Sequence, residues 1–216
     1  EGKFFKSIAG VRVYGTAAVW SEGECIAKDT GEIQITDYGI SGIPVFQVSR
    51  YASKLLYEGK EAEAVLNFMP DFTKEQMKAF LRSRAETRPE KRTDMFLIGL
   101  FHKKLCDLWC RMSKIPGGKP AGELTDEELV RLTSLIMEFR VRIAGTNSYD
   151  KAQVCCGGVD TSEVSPGTME SVYVPGLYFA GEILDVDGMC GGYNLTFAWA
   201  SGYAAGRAAA MNRPYE

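Results

Sequence analysis

The segment from Pro175 to Met211 restricts the fold more than any other part of the chain. Pro175-Gly176 is a turn signal, and Leu177-Tyr178-Phe179-Ala180 follows as an unbroken apolar run, which predicts a short strand buried on both faces. The run ends in Gly181-Glu182, a loop holding Asp185 and Asp187 comes next, and Gly191-Gly192 opens a helix over roughly Asn194 to Met211. Ala198, Ser201, Gly202, Ala205, Gly206 and Ala209 give that helix a surface of small residues, suited to lying close against a sheet or a second helix. Glycine costs about 1 kcal/mol per helical site relative to alanine, so Gly202 and Gly206 suggest a packing reason. A strand–loop–helix unit of this kind offers unpaired N–H groups and a partial positive charge at the helix start, where a phosphate or another electron-rich group is satisfied. A tight turn with no ligand accounts for the same residues, and one glycine-rich turn does not separate the two readings.

Upstream, residues 9–36 read as β structure. Ala9–Tyr14 and Ala17–Trp20 are strand-like, Ser21–Glu24 is a turn, Cys25–Ala27 is a further strand, Asp29-Thr30-Gly31 turns again, and Glu32–Thr36 alternates. A glycine loop at 38–44 leads into a helix with Pro44 in its first turn, running to about Tyr57 and stopping near Gly59. Ala64–Phe68 is a returning strand. From 71 to 143 the pattern becomes helical. Thr73…Gln76 and Thr125…Glu128 are capping boxes, with Phe72/Met77 and Leu124/Leu129 placed as staples. Met95 to Met112 carries apolar residues with a helical period, and Pro116–Pro120 breaks the chain before the last helix of this group. β-type sequence resumes at Gln153–Cys156. The expected organisation is a β-rich, barrel-like lobe from 1–68 and 146–173, a three-helix lobe inserted at 69–145, and a C-terminal strand–helix at 174–216, an α+β fold.

Composition excludes several classes. A net charge of −3, with basic residues scattered among acids, argues against a nucleic-acid footprint. No apolar run approaches the ~20 residues of a membrane span, and no signal peptide opens the sequence. Six cysteines at 25, 106, 110, 155, 156 and 190 form no framework, so reduced thiols in the cytoplasm are expected. His102, Cys106 and Cys110 form an i, i+4, i+8 row, yet they also fit the apolar register of their helix, and no metal site is assigned. Gly39-Ile40-Ser41-Gly42 hints at a hydrolase nucleophile, but Ile43 breaks the G-x-S-x-G spacing. The adjacent Cys155 and Cys156 point to opposite faces of an extended chain, which disfavours a disulfide between them.

The stretch GLYFAGEILDVDGMCGGYNLTFAWASGYAAG at 176–206 resembles the C-terminal signature of a bacterial flavoprotein family, the aminoacetone-oxidase-like NAD(P)/FAD-dependent oxidoreductases. The resemblance extends to AQVCCGGVDTSEVSPGTMES at 152–171 and GEIQITDYGISGIPVFQVSR at 31–50. It implies a Rossmann-like FAD domain ending in the C-terminal strand–helix. Gly181, Glu182 and Asp185 are then expected near the ribityl and pyrophosphate part of FAD, and Gly191, Gly192, Tyr193, Asn194 and Leu195 near the isoalloxazine. Family members begin with a strand–GxGxxG–helix motif. Gly15, Gly23, Gly31, Gly39 and Gly42 do not have that spacing, and the sequence opens without Met, so it reads as the C-terminal part of such an oxidoreductase. Alone it is expected to hold no tightly bound FAD and to act on a small molecule only within the full-length protein, while its unpaired C-terminal strand is expected to pack against the β-rich lobe, to self-associate with a second copy of the chain, or to be poorly ordered. Cys155 stands where the family has a hydroxyl residue, and Thr196-Phe197 where it has Gln-Trp. The competing reading is a non-catalytic interaction module without a cofactor.

Overall fold

A computed structural model describes residues 4–212. They divide into two compact units, Glu1–Thr146 and Asn147–Glu216.

The first unit begins with the short helix α1 (Phe5–Ile8) and is built on an antiparallel sheet of order β3-β2-β1-β4-β5. Strands β1 (Arg12–Ser21) and β2 (Glu24–Ile35) form a long hairpin across Glu22-Gly23, both at positive φ, the geometry that suits a two-residue hairpin loop. The turn expected at Asp29–Gly31 does not exist: Asp29 pairs with Ala17, Thr30 with Thr16 and Gly31 with Gly15 inside β2. Gly31 is there for close approach, since a Cβ would stand 3.1 Å from the Pro44 ring carbon packed over it. Ala17, Ala18 and Val19 are consecutive and all buried, so both faces of β1 are covered at this point.

Strand β3 (Ile40–Ser41) pairs with the end of β2 and leads into α2 (Ile43–Tyr57), with Pro44 in the first turn as the sequence requires. The helix closes at Glu58–Lys60, where the Gly59 and Lys60 N–H groups return to the Leu56 and Leu55 carbonyls. Strand β4 (Glu63–Asn67) returns beside β1, and β5 (Phe139–Arg142) completes the sheet, Leu66 opposite Phe139.

Between β4 and β5 lie α3 (Lys74–Thr87), α4 (Thr93–Phe96), α5 (Lys103–Met112) and α6 (Asp126–Met137). Both capping boxes form, at Thr73/Gln76 and Thr125/Glu128. The apolar period from Met95 to Met112 is not one helix. Gly99 at φ +97 breaks it, and Arg84 takes up carbonyls near the break, donating to Phe96 O and Ile98 O at 2.6 and 3.0 Å. His102 is consequently exposed and caps α5, its Nδ1 accepting the Lys104 N–H, while Cys106 and Cys110 are buried. Burial pushes the Cys106 thiol up to about 12 and the Cys110 thiol up to about 11, so these are core thiols.

The helices have no core separate from the sheet. Trp109 of α5 packs edge-on against Phe101 and against Phe68, and Phe68 meets Phe139 of β5. One apolar cluster runs from Phe5 and Ile33 through Leu81 and Trp109 to Leu132 and Phe139. The structure thus divides the chain after Thr146, rather than setting 69–145 apart and returning 146–173 to the sheet.

In the second unit Gln153–Cys156 is irregular rather than a resumed strand. Leu177–Ala180 makes only an isolated antiparallel bridge, Tyr178 to Glu170, and Leu177 is exposed. The expected doubly buried strand is therefore absent among the described residues: Tyr178 and Phe179 are half-buried, and Leu177 and Ala180 are exposed. Helix α7 (Tyr193–Met211) buries Ser201 and Ala205, while Gly202 and Gly206 face open space. The small residues that pack are thus Ser201 and Ala205, with Ala198 and Ala209 half-buried, and the two helical glycines have no close neighbour among the described residues.

Candidate functional site

The residues singled out between 181 and 195 all lie in the second unit, organised around the start of α7. Gly181 opens a single 3-10 turn to Ile183, and its N–H donates to Ser201 Oγ at 2.9 Å. The buried Ser201 hydroxyl donates onward to Phe197 O within α7 at 2.7 Å, so the 181 turn is tied to the helix. The other end of the loop is fixed by Asn194. Its Oδ1 accepts the Gly188 N–H at 2.7 Å and its Nδ2 donates to Gly188 O at 3.2 Å.

Gly192 is the N-cap of α7, at φ 95 and ψ −5, and no side chain caps the helix. Thr196 turns back on Gly192, with both its N–H and its hydroxyl donating to Gly192 O at 3.0 Å. Gly191 is also at positive φ, and nothing lies within 4 Å of a Cβ placed on Gly192. The first-turn side chains Tyr193 and Leu195 are exposed. A long helix with an open, uncapped start presents N–H donors and a partial positive charge to an approaching acceptor. This arrangement fits an electron-rich ligand edge such as that of a flavin, and Gly191 to Leu195 are the residues that would hold it.

Glu182 and Asp185 face a different element. Glu182 Oε1 accepts the Cys155 N–H, and Asp185 Oδ1 accepts the Gly157 N–H, both at 3.0 Å. The Cys156 thiol donates to Asp187 Oδ2 at 3.3 Å. Val159 and Leu184 form a parallel bridge, with the Val159 N–H on Ile183 O and the Asp185 N–H on Val159 O. Gly158 lies so close that a Cβ would stand 2.5 Å from Ile183 O. No disulfide joins Cys155 to Cys156.

Sequence reasoning had not singled out Gly188, Ser201 or the backbone of residues 155–158 as parts of this site. Only the 152–171 stretch of the family resemblance pointed at the last of them. In the first unit, His102 Nδ1 accepts the Lys104 N–H at the α5 cap. Among the described residues no group of three or more His, Cys, Asp or Glu side chains could hold a metal ion. Two shallow, open recesses, of about 210 and 420 Å³, lie in the first unit.

The sheet-plus-helix unit followed by a glycine-opened helix defines a class. Residues 1–154 match the HI0933-like protein barrel and H2TH domain, and residues 131–208 match the HI0933-like protein Rossmann domain. The chain belongs to the HI0933-like family, a family of flavoprotein oxidoreductases, in agreement with the resemblance seen in the sequence. Among characterised relatives, a 3-dehydro-bile acid delta(4,6)-reductase from Clostridium scindens is 47% identical over 206 residues, covering 95% of this chain and 50% of that protein. A ribosomal RNA dihydrouridine synthase from Escherichia coli is 32% identical over 197 residues, covering 91% of this chain and 46% of that protein. Its namesake from Haemophilus influenzae is also 32% identical, over 203 residues, covering 94% and 47%. The chain thus spans about half the length of the relatives it matches.

Proposed function

We propose that this chain supplies the barrel and the flavin-end loop of an FAD-dependent oxidoreductase acting on a small molecule. The single observation that carries the reading is the uncapped start of α7 behind Gly191-Gly192. FAD, when bound, supplies the acceptor or donor of a hydride, and the protein orients it. Gly191, Gly192 and the first-turn amides of Tyr193, Asn194 and Leu195 would hold the flavin ring edge, offering N–H donors to the negative charge that a reduced flavin carries. Asn194 contributes indirectly, since its side chain is engaged with Gly188. Gly181, Glu182 and Asp185 would lie towards the ribityl and pyrophosphate portion. A few backbone donors contribute about 1 kcal/mol net each against several kcal/mol of lost freedom, so the chain alone is expected to hold FAD weakly.

A small-molecule substrate is favoured by the greater similarity to the bile acid reductase than to the RNA-modifying relatives. Self-association through 177–180 belongs to the same proposal, and rests on its pairing with 169–171 along one edge. The test is purification of the complete polypeptide, followed by anaerobic reduction of its flavin. Reoxidation on adding a 3-dehydro-bile acid that carries delta(4,6) unsaturation, which accepts the two electrons, and none on adding ribosomal RNA, is the expected result. Reoxidation by RNA alone would overturn the substrate class. A complete polypeptide free of flavin would overturn the oxidoreductase reading in favour of a non-catalytic module.

A further inference from the structure

We infer that Glu182 and Asp185 serve the proposed flavin site as positioning residues, acting through the turn at Cys155–Gly158 with one carboxylate oxygen each. The inference rests on the reading above and changes the task of two residues within it. Each carboxylate gives one oxygen to an amide of the turn, Glu182 to Cys155 and Asp185 to Gly157. The two amides are two residues apart, and the two acids are three apart on a segment bridged to Val159. The Cys156 thiol on Asp187 adds a third tie. Directly after these ties the chain passes the Ile183 carbonyl at Gly158, so closely that only glycine fits. Four consecutive residues are thus held from one side by a single segment, 182–187. That segment also runs to Gly188, which Asn194 joins to the first turn of α7. The turn and the helix start are therefore set by one continuous loop, and moving either acid moves the turn.

The prediction is specific to the pairs. By amide hydrogen exchange, Glu182→Ala should speed exchange at Cys155 at least fivefold, and Asp185→Ala should do so at Gly157. Val159, whose N–H is held by the Ile183 backbone, should change by less than twofold in both. Glu182→Gln and Asp185→Asn keep an acceptor oxygen and should restore slow exchange. In the complete polypeptide, Gly158→Ala should lower FAD occupancy as the alanine variants do, although it leaves both acids in place. Unchanged exchange at 155 and 157 in the alanine variants overturns the inference. So does equal acceleration at Val159, which would mean loss of the unit rather than of the ties. Loss of FAD with unchanged exchange would assign the acids to direct contact. Failure of the wild-type polypeptide to bind FAD would overturn the preceding section, while the exchange measurements would still decide this one.

Discussion

Gly192 combines two properties that are seldom needed together: a left-handed backbone and an empty space where a side chain would stand. A β-branched residue there costs about 1–2 kcal/mol for the conformation and fills the space in front of the α7 amides. Gly192→Val in the complete polypeptide is expected to lower the ratio of flavin to protein after purification. Full flavin content with normal stability would mean that the loop is only a turn. A second residue-scale consequence comes from Glu128, which is mostly buried in its capping box and bonded by Lys119 Nζ at 2.7 Å. Burial alone would raise its carboxyl, but the bonds from Lys119 and from the Thr125 N–H outweigh that and hold it below the ordinary value. A depressed carboxyl stabilises the fold above the unfolded value of about 4.3, and the contribution is lost as pH falls through the folded value. Lys119→Met is therefore expected to cost about 1–3 kcal/mol at pH 7 and clearly less at pH 3, by urea unfolding. Equal losses at both pH values would show that the lysine acts through packing.

Among the elements, those whose cause is local were legible in the sequence. Pro44 starts α2, and the Thr73 and Thr125 boxes start α3 and α6, because each signal acts within one turn of chain. The errors all required a distant partner. Asp29-Thr30-Gly31 has turn chemistry, but the length of β1 and the Pro44 ring over Gly31 keep it extended. The apolar period through Met95–Met112 continues across a break that Arg84, on another helix, makes tolerable. Leu177–Ala180 has the composition of a buried strand, yet burial needs strands or helices over both faces, and among the described residues 169–171 alone pairs with its backbone while Asn212 reaches the Tyr178 hydroxyl. The candidate site divides in the same way. The α7 start was readable from Gly191-Gly192, whereas the work of Glu182 and Asp185 depends on amides 27 and 28 residues earlier.

The whole molecule carries its boundary after Thr146, and residues 144–152 are exposed with no strand or α-helix. Limited trypsin digestion should cut first at Lys151, with the Lys74 site surviving, and mass spectrometry of early fragments checks this. An early cut at Lys74 would restore a helical lobe with its own core. The sheet has a further consequence, in the order of events by which it forms. Strand β5 pairs with β4 across about 70 intervening residues, rather more than half of them in the helices α3 to α6. Closing such a loop from a disordered chain costs about 4 kcal/mol, and it is repaid only by contacts made afterwards. Helices formed beforehand shorten the gap, so α3 to α6 act as a splint that delivers β5 to its neighbour. Folding of this unit should then be limited by the splint. Thr125→Ala, which removes the α6 cap at a cost of about 1 kcal/mol, is expected to slow refolding by most of that amount in stopped-flow measurements. A change confined to the unfolding rate would mean that the strands meet first and the helices assemble on a finished sheet.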